Sequence, residues 1–439
     1  MSQKQCGGIT RKLRKSLNLD KKQNSFIDNE QRVRVVLYAG CFLIPPFSLL
    51  YAIAGLSFDS KRWRKYLLFL IYFFFILICT LELKEGGNKD LIRYYQLMNE
   101  AAELSFRQAF DFQHDGQYTA NILYWIFGRL GFPQLFPAVT LSVVLLSMAY
   151  ITCDMAEERG SLQFIRVVLL YQFMILPMMY VMETLRTGLS LSLIVLMAYL
   201  DLVKKKKALW IWLIYLACIF IHFYAIVFIV LRIMAELPRA LLKMMIVLPL
   251  VITTIITVAY GYIDRFNSNP FITSIIYKAY NYYTNSGTEY ALGTASNAYF
   301  FRLKIVMGVE ALLMIIMSFY YSSKESKERE ENKKFLMYFA MICILSLSLI
   351  GFPNPIYWRF EAAGFCCCSA IMLPVLERRE RIPTPIMLVF VALWLLAIPA
   401  LYLNLRWGIT YAENNFEWLG NTFTTNVFTI AYKMITQSA

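Results

Sequence analysis

Apolar runs about as long as a membrane-spanning helix, separated by short charged clusters, make up most of the chain between residues 35 and 404. A helix needs roughly 20 apolar residues to cross the hydrocarbon core of a bilayer. The pattern therefore predicts an all-α, polytopic membrane helix bundle with about twelve transmembrane helices. A shorter amphipathic helix over 119–131 is expected to lead into the third. The predicted spans are 36–57, 66–83, 134–153, 162–181, 184–203, 208–222, 223–238, 244–262, 302–321, 335–351, 358–376 and 386–404.

Basic clusters in the loops between these spans predict the orientation, because Lys and Arg accumulate on the cytoplasmic side of membrane proteins. The clusters are 61–65, 204–207, Arg239 with Lys243, 324–334 and 378–381. All five fall on one face if the spans alternate. The outer face then carries the longer segments 84–118, 263–301 and 405–439. The cytoplasmic loops are too short for a nucleotide-binding domain, so chemistry is expected at the outer face or within the membrane.

Two stretches do not fit a simple alternation of spans. The residues 208–238 lie between two cytoplasmic clusters, which favours a short helical hairpin with His222 at or near its outer turn. Pro45-Pro46, in the middle of the first span, could break that span into a re-entrant hairpin, which would keep the basic N-terminal tail inside. Otherwise the tail lies outside, against the charge rule. The resulting division is a basic cytoplasmic or interfacial tail over 1–34, a transmembrane domain over 35–404 and an outer C-terminal segment over 405–439.

Composition narrows the class of protein further. The chain has 439 residues, of which 59% are hydrophobic and 16% charged, with a mean hydropathy of +0.51. These values exclude a soluble enzyme, a disordered chain and a secreted disulfide scaffold. The net charge of +14 could suggest nucleic acid, but much of it lies in the clusters between spans. With two histidines and no C-x-x-C pair, we expect neither a metal nor another cofactor.

Ionisable residues near the ends of predicted spans are functional candidates, since charge at membrane depth is costly. Arg186, Arg359 and Arg302 each lie at the outer start of a span. A guanidinium binds phosphate with two parallel hydrogen bonds, so these arginines could form an anion clamp. They could equally be interfacial residues, with Arg186 paired to Glu183 and Arg359 to Glu361.

Polar residues of the outer segments also have two interpretations. Asp90, Arg93 and Tyr94 share a helical face and could form a site or merely a salt-bridged surface helix. His222 could be a general base or a packing residue. Tyr282 and Tyr283 could stack on sugar rings or belong to an aromatic belt at the membrane surface.

Four local patterns together resemble the bacterial Wzy/EpsG group of polysaccharide polymerases, which join O-antigen, capsule or exopolysaccharide repeat units. They are an outer-loop Asp followed by Tyr (86–94), an arginine-opened helix ending in a lysine run (186–207), the His-x-x-Ala motif (222–225) and the late outer Arg359. Two positions depart from the family pattern. Thr187 replaces the usual Gln after the arginine, and Tyr224 replaces the usual Ser in the histidine motif.

The resemblance implies a bundle like that of GT-C glycosyltransferases, in the bacterial inner membrane, acting on undecaprenyl-pyrophosphate-linked oligosaccharides at the periplasmic face. A chain-length regulator is a further possible partner. Arg186 and Arg359 would bind the pyrophosphate, with Arg302 and Arg93 as weaker candidates. His222 would activate the acceptor hydroxyl, with Asp90 as the competitor, and Tyr94, Tyr282 and Tyr283 would contact the glycan.

Three other functions compete with this one. A lipid-linked oligosaccharide flippase would also hold cations for a pyrophosphate, but such transporters usually show two related halves, and none are visible here. A polyprenyl-phosphate-dependent single-sugar glycosyltransferase would use Asp90 as its outer-loop carboxylate. A membrane acyltransferase is disfavoured because no suitable histidine–acid pair is present.

Overall fold

The structure is a computed structural model that describes twelve stretches of the chain. These are residues 31–58, 62–82, 89–113, 116–237, 258–262, 272–273, 276–277, 298–324, 330–350, 356–377, 382–411 and 415–437. Within these stretches all regular secondary structure is helical, which confirms the all-α prediction. The predicted span 244–262, the loop tyrosines Tyr282 and Tyr283 and His114 lie wholly or largely outside them.

The principal helices are numbered here in chain order. They are α1 (31–43), α2 (Pro45–Phe58), α3 (Trp63–Cys79), α4 (Lys89–Ala102), α5 (Phe106–Phe110), α6 (Tyr118–Arg129), α7 (Leu135–Arg159), α8 (Ile165–Ile175), α9 (Met178–Glu183), α10 (Leu185–Leu202), α11 (Leu209–Ile221), α12 (Ala225–Met234), α13 (Ala298–Lys324), α14 (Glu330–Leu349), α15 (Ile356–Phe365), α16 (Ser369–Glu377), α17 (Thr384–Tyr411), α18 (Asn415–Thr424) and α19 (Val427–Gln437).

Five of these helices are long and apolar enough to cross a membrane: α7, α10, α13, α14 and α17. A sixth span results if α15 and α16, which are bent by 44° around residues 366–368, count as one. The chain is thus consistent with a multi-pass membrane helix bundle. The predicted number of twelve spans is not confirmed.

Proline accounts for two of the differences from the predicted spans, because it lacks an N–H and disfavours helix in the residue before it. The run 36–57 is interrupted at Ile44, directly before Pro45. The run 162–181 is divided at Leu176, whose backbone is extended before Pro177. Residues 208–237 contain two short helices on either side of residues 222–224, which agrees with two helices in this stretch. The position of their turn at the outer face stays a prediction.

Two buried apolar clusters hold the bundle together. The larger spans most of the helices, from α3 through α7 and α10 to the C-terminal half. The smaller joins α4 and α6 to the start of α10 and the end of α11. Gly128 permits the close approach of α6 to α4, since a Cβ there would lie 1.9 Å from the backbone oxygen of Met98.

Ion pairs concentrate at one end of the bundle, which we call the charge-paired end. They are Arg64–Glu157, Lys204–Asp154, Lys204–Glu158, Lys205–Glu331, Arg159–Glu377 and Arg232–Asp201. Burial acts against the charge of Lys204, but the carboxylates of Asp154 and Glu158 outweigh it and raise the pKa of Lys204. Residues from three of the five predicted cytoplasmic clusters therefore meet at this end.

Candidate functional site

The smaller apolar cluster assembles the opposite end of the bundle. Leu91 and Tyr94 of α4, Leu185 of α10 and Ile221 of α11 are buried in it together. Each lies next to a candidate residue in sequence, so their packing brings Asp90, Arg93, Arg186 and His222 into one region. We call this region the arginine end. It lies about 27 Å from the charge-paired end along the 18 residues of α10.

Arg186 occupies the first turn of α10 and is half-buried. Its Nη1 donates a hydrogen bond to Oε1 of Gln117, at 2.8 Å. Gln117 is itself buried and immediately precedes α6. The guanidinium carbon also lies 5.7 Å from the centre of the Tyr94 ring. An amide and an aromatic ring therefore orient this guanidinium at the end of a helix.

Arg93 lies against the same ring, with its guanidinium carbon 5.6 Å from the ring centre of Tyr94. It forms an ion pair with Asp90 at 3.6 Å, and about half of each side chain is exposed. Tyr94 itself is only 6% exposed. Its ring contacts both Arg93 and Arg186. The predicted glycan contact of Tyr94 stays a prediction.

Arg359 is placed by the first turn of α15. Its Nε donates to the hydroxyl oxygen of Tyr180 at 3.1 Å, and the Tyr180 ring stacks on Trp358 with centroids 4.0 Å apart. Helix α9, which carries Tyr180, also contacts α4, which carries Asp90. Tyr180 therefore connects the Arg359 region to the Asp90 region.

A small cavity lies beside Arg359, with a volume of about 10 Å³. It is lined by Tyr180, Thr184, Thr187, Gly188 and other residues of α7, α10 and α15. That volume is room for roughly one water molecule. A pyrophosphate therefore reaches this pocket only if the surrounding helices separate.

His222 ends α11 and is buried, with 6% of its surface exposed. The backbone N–H of Tyr224 donates to Nδ1 of His222 at 3.3 Å. With that nitrogen accepting, the neutral ring carries its proton on Nε2 and presents a donor there. The ring of Tyr224 in turn makes an edge contact with Phe360 at 5.3 Å, which places the histidine turn near Arg359.

The structure places four further polar residues here that the sequence reading did not assign to the site. Gln117 and Tyr180 contact the two arginines as described, and Glu183, the last residue of α9, is buried. The fourth is Lys304, whose Nζ lies 5.9 Å from the Tyr357 ring centre. Arg302, the predicted clamp residue on the same helix, is exposed. In the sequence, the one feature that could have made Lys304 a candidate is its position among apolar residues.

Within the described stretches, no group of three or more His, Cys, Asp or Glu side chains is arranged to hold a metal ion. The assignment of individual residues to pyrophosphate binding or to the role of the base stays a prediction.

Comparison with known proteins identifies a family. The family model described as EpsG family matches residues 65–412, more than three quarters of the chain. No curated protein and no solved structure matches the chain.

Proposed function

The chain belongs to the EpsG family, a family of Wzy-type polysaccharide polymerases, and from this premise we propose that it joins undecaprenyl-pyrophosphate-linked oligosaccharide repeat units at the periplasmic face of the bacterial inner membrane. Membership indicates glycosyltransferase-type polymerase activity in a multi-pass membrane protein. The lipid carrier, the membrane face and the residue roles are the proposal.

In the proposed reaction an acceptor sugar hydroxyl attacks the anomeric carbon of the donor. The new bond joins the acceptor oxygen to that carbon, and the bond from the carbon to the pyrophosphate oxygen breaks. The hydroxyl proton passes to a base, and the lipid pyrophosphate leaves as an anion. A one-step displacement of this kind inverts the anomeric centre. The reaction therefore needs cations at the leaving group and one base.

The observation that carries the proposal is the arrangement of the two arginines. Arg186 donates to the amide of Gln117, and Arg359 donates to the phenol of Tyr180. These two hydrogen bonds orient both guanidiniums at the same end of the bundle. Oriented donors that meet developing charge are typically the largest contribution to catalysis of this type. We assign Arg186 and Arg359 to the pyrophosphate, with Arg93 as an auxiliary cation.

We assign the base role to Asp90 and a hydrogen-bond donor role to His222. Nδ1 of His222 accepts from the Tyr224 backbone, so its outward nitrogen would have to lose a proton before it could take one from an acceptor. Asp90 is half-exposed at the same end of the bundle, where a sugar hydroxyl can approach it. Lys304 supplies a further cation near Tyr357.

A glycan profile from the native host tests the proposal. We compare wild type, a deletion, Arg186→Ala and the matched control Arg107→Ala, whose arginine is exposed on α5. We expect the deletion and Arg186→Ala to reduce the ladder to a single repeat unit and Arg107→Ala to retain it. A deletion that strands the repeat unit on the cytoplasmic face would instead identify a flippase, and single-sugar truncations would identify a monosaccharide transferase.

A further inference from the structure

A second, larger cleft lies at the same end of the bundle as the arginines. Its volume is about 410 Å³, within the range of roughly 300–1,000 Å³ that is usual for small-molecule sites. The end of α3 and the start of α7 form one side, and the C-terminal helices α18 and α19 form the other. Both α3 and α7 have their other termini at the charge-paired end.

Uncharged hydrogen-bonding groups dominate the lining of this cleft. They come from Thr80, Gln134, Asn421, Thr424, Thr425 and Thr429. The Oε1 atom of Gln134 is buried without a hydrogen-bond partner. Hydroxyl and amide groups both donate and accept, which matches the hydroxyls of a sugar. A ligand that satisfies the Gln134 amide would remove the cost of leaving it buried.

The charge of the lining argues against a phosphate or an acidic headgroup as the ligand. The ionic side chains that line the cleft are one carboxylate, Glu82, and one ammonium, Lys433. An anion site is expected to gather several cations, as the arginine end does. An apolar ligand would need a mainly apolar lining. The lining therefore selects a neutral, hydroxyl-rich molecule.

The helix pair that closes the cleft is anchored to the bundle. Trp418 Nε1 donates to the backbone oxygen of Leu77 at 2.7 Å, and the hydroxyls of Thr422 and Thr80 are 3.1 Å apart. These helices begin at residue 415, whereas the family match ends at 412. The cleft is thus completed by a part of the chain outside the region matched to the family.

The cleft lies close to the helix that carries Asp90 and Arg93. Gln134 lines the cleft, and Phe136, two residues further along the chain, is buried in the same apolar cluster as Leu91 and Tyr94 of α4. A saccharide bound in the cleft would therefore lie near α4.

We propose that this cleft binds an oligosaccharide segment of the acceptor or of the growing glycan, next to the site of glycosyl transfer. The proposal rests on the polymerase function above and adds to it a glycan subsite. A subsite of this kind holds the chain between successive transfers, so it governs polymer length more than the formation of the first linkage.

The test uses the full-length protein in lipid nanodiscs, with oligosaccharides released by partial hydrolysis of the host's surface polysaccharide. Gln134→Leu combined with Asn421→Leu removes two hydrogen-bonding amides. We expect about tenfold weaker binding, because each lost hydrogen bond contributes roughly 0.5–1.5 kcal/mol. We also expect a shorter ladder with the first linkage retained. Thr436→Val, exposed on the same α19, is the matched control and should bind as wild type.

A labelling experiment keeps the proposal falsifiable if the double variant misfolds. Thr424 is exposed at the cleft, and all eight cysteines in the described stretches are buried. In Thr424→Cys, a membrane-impermeant maleimide should shorten the ladder, and bound oligosaccharide should slow the labelling. Wild type treated in parallel gives the background.

Separate outcomes distinguish the two proposals. A deletion that leaves the ladder intact overturns the polymerase function. Wild-type affinity in the double variant, or labelling unaffected by oligosaccharide, overturns the glycan subsite. In that case the polymerase function still stands if the deletion loses the ladder. Lys433→Met should change affinity less than the double variant does. A larger loss would mean that the ligand is an anion.

Discussion

The two ends of the bundle handle charge differently. At the charge-paired end, carboxylates of α7, α10, α14 and α16 neutralise arginines and lysines from neighbouring segments. At the arginine end, Arg186 donates to the amide of Gln117 and Arg359 donates to the phenol of Tyr180. Both ends contain semi-buried cations, so the number of cations does not tell them apart. The ion pairs named at the charge-paired end join different helices or segments, whereas the ion pair of Asp90 with Arg93 lies within one helix.

The difference indicates two tasks for the same residue type. A carboxylate on another helix neutralises the cation and joins the two helices together. At the arginine end, hydrogen bonds to Gln117 and Tyr180 orient the guanidiniums that we propose bind an anionic ligand. Substitutions at the charge-paired end should therefore lower stability, and those at the arginine end should lower activity.

The largest effect is expected at the charge-paired end, in Asp201→Asn. The variant leaves the charge of Arg232 buried beside an amide, and both side chains are less than 10% exposed. We expect a loss of about 3–5 kcal/mol in the free energy of unfolding, measured by chemical denaturation in detergent. Glu236→Gln, which removes a half-exposed partner of the same arginine, should cost about 1 kcal/mol or less. Equal losses of unfolding free energy in Asp201→Asn and Glu236→Gln would contradict the expectation that a buried ion pair matters more than an exposed one.

Arg186→Lys should have the next largest effect, on rate and not on stability. A single ammonium cannot form the two parallel hydrogen bonds of a guanidinium. We expect the rate of polymer formation by purified protein to fall by about 10²–10³-fold. Arg107→Lys is the matched control and should retain the rate. Full-length polymer from Arg186→Lys would remove the distinction between the two ends.

Asp90→Asn and His222→Gln compare the two candidates for the base. We expect Asp90→Asn to lose about 10²-fold in rate, at the lower end of general-base contributions, because water can reach this half-exposed site. Gln retains a donor near the position of Nε2, so His222→Gln should lose much less. The opposite order would move the base role to His222.

Gly128→Ala probes the packing that assembles the arginine end. The new Cβ would lie 1.9 Å from a backbone oxygen of α4, and a backbone atom cannot rotate away. We expect α4 to shift, with a stability loss of about 1–3 kcal/mol and a lower rate, read out by thermal unfolding and polymer formation. Gly420→Ala, which has open space around it, should be neutral or stabilising. Normal activity of Gly128→Ala would show that the site does not depend on this close packing of α4 and α6.

The smallest effect is expected in Arg64→Ala. Its ion pair with Glu157 lies at the charge-paired end, but 68% of the arginine side chain is exposed. We expect a change below about 1 kcal/mol in unfolding free energy and an unchanged rate. High salt should reduce the difference from wild type further, since exposed pairs are screened. A large loss would show that exposed pairs matter as much as the buried one.

The local pattern of apolar residues was sufficient to predict the long helices. The predicted spans 134–153, 184–203, 302–321, 335–351 and 386–404 coincide with the five helices capable of crossing a membrane. None of these long apolar runs has a residue near its centre that divides the helix. In the run 36–57, Pro45-Pro46 indicated a possible break, and the helix is interrupted there. In the run 162–181, the count of apolar residues overrode the signal of Pro177.

The candidate residues show the same limit. Arg186, Arg359, Asp90 and His222 became candidates from position and residue type, because charge at membrane depth is rare. Gln117 and Tyr180 were not, because a glutamine in a loop and a tyrosine in an apolar run carry no local sign of their partners. Each lies far in sequence from the arginine it contacts, by 69 and 179 residues.

The sequence by itself determined the class of protein, its family and the long spans, since these depend on composition and on local spacing. Only the tertiary structure decided which partner each charge has. That choice follows from helix packing, which joins Leu91, Leu185 and Ile221 in one apolar cluster and so carries their polar neighbours together. Packing of this kind depends on shape complementarity between distant segments, and no local pattern encodes it.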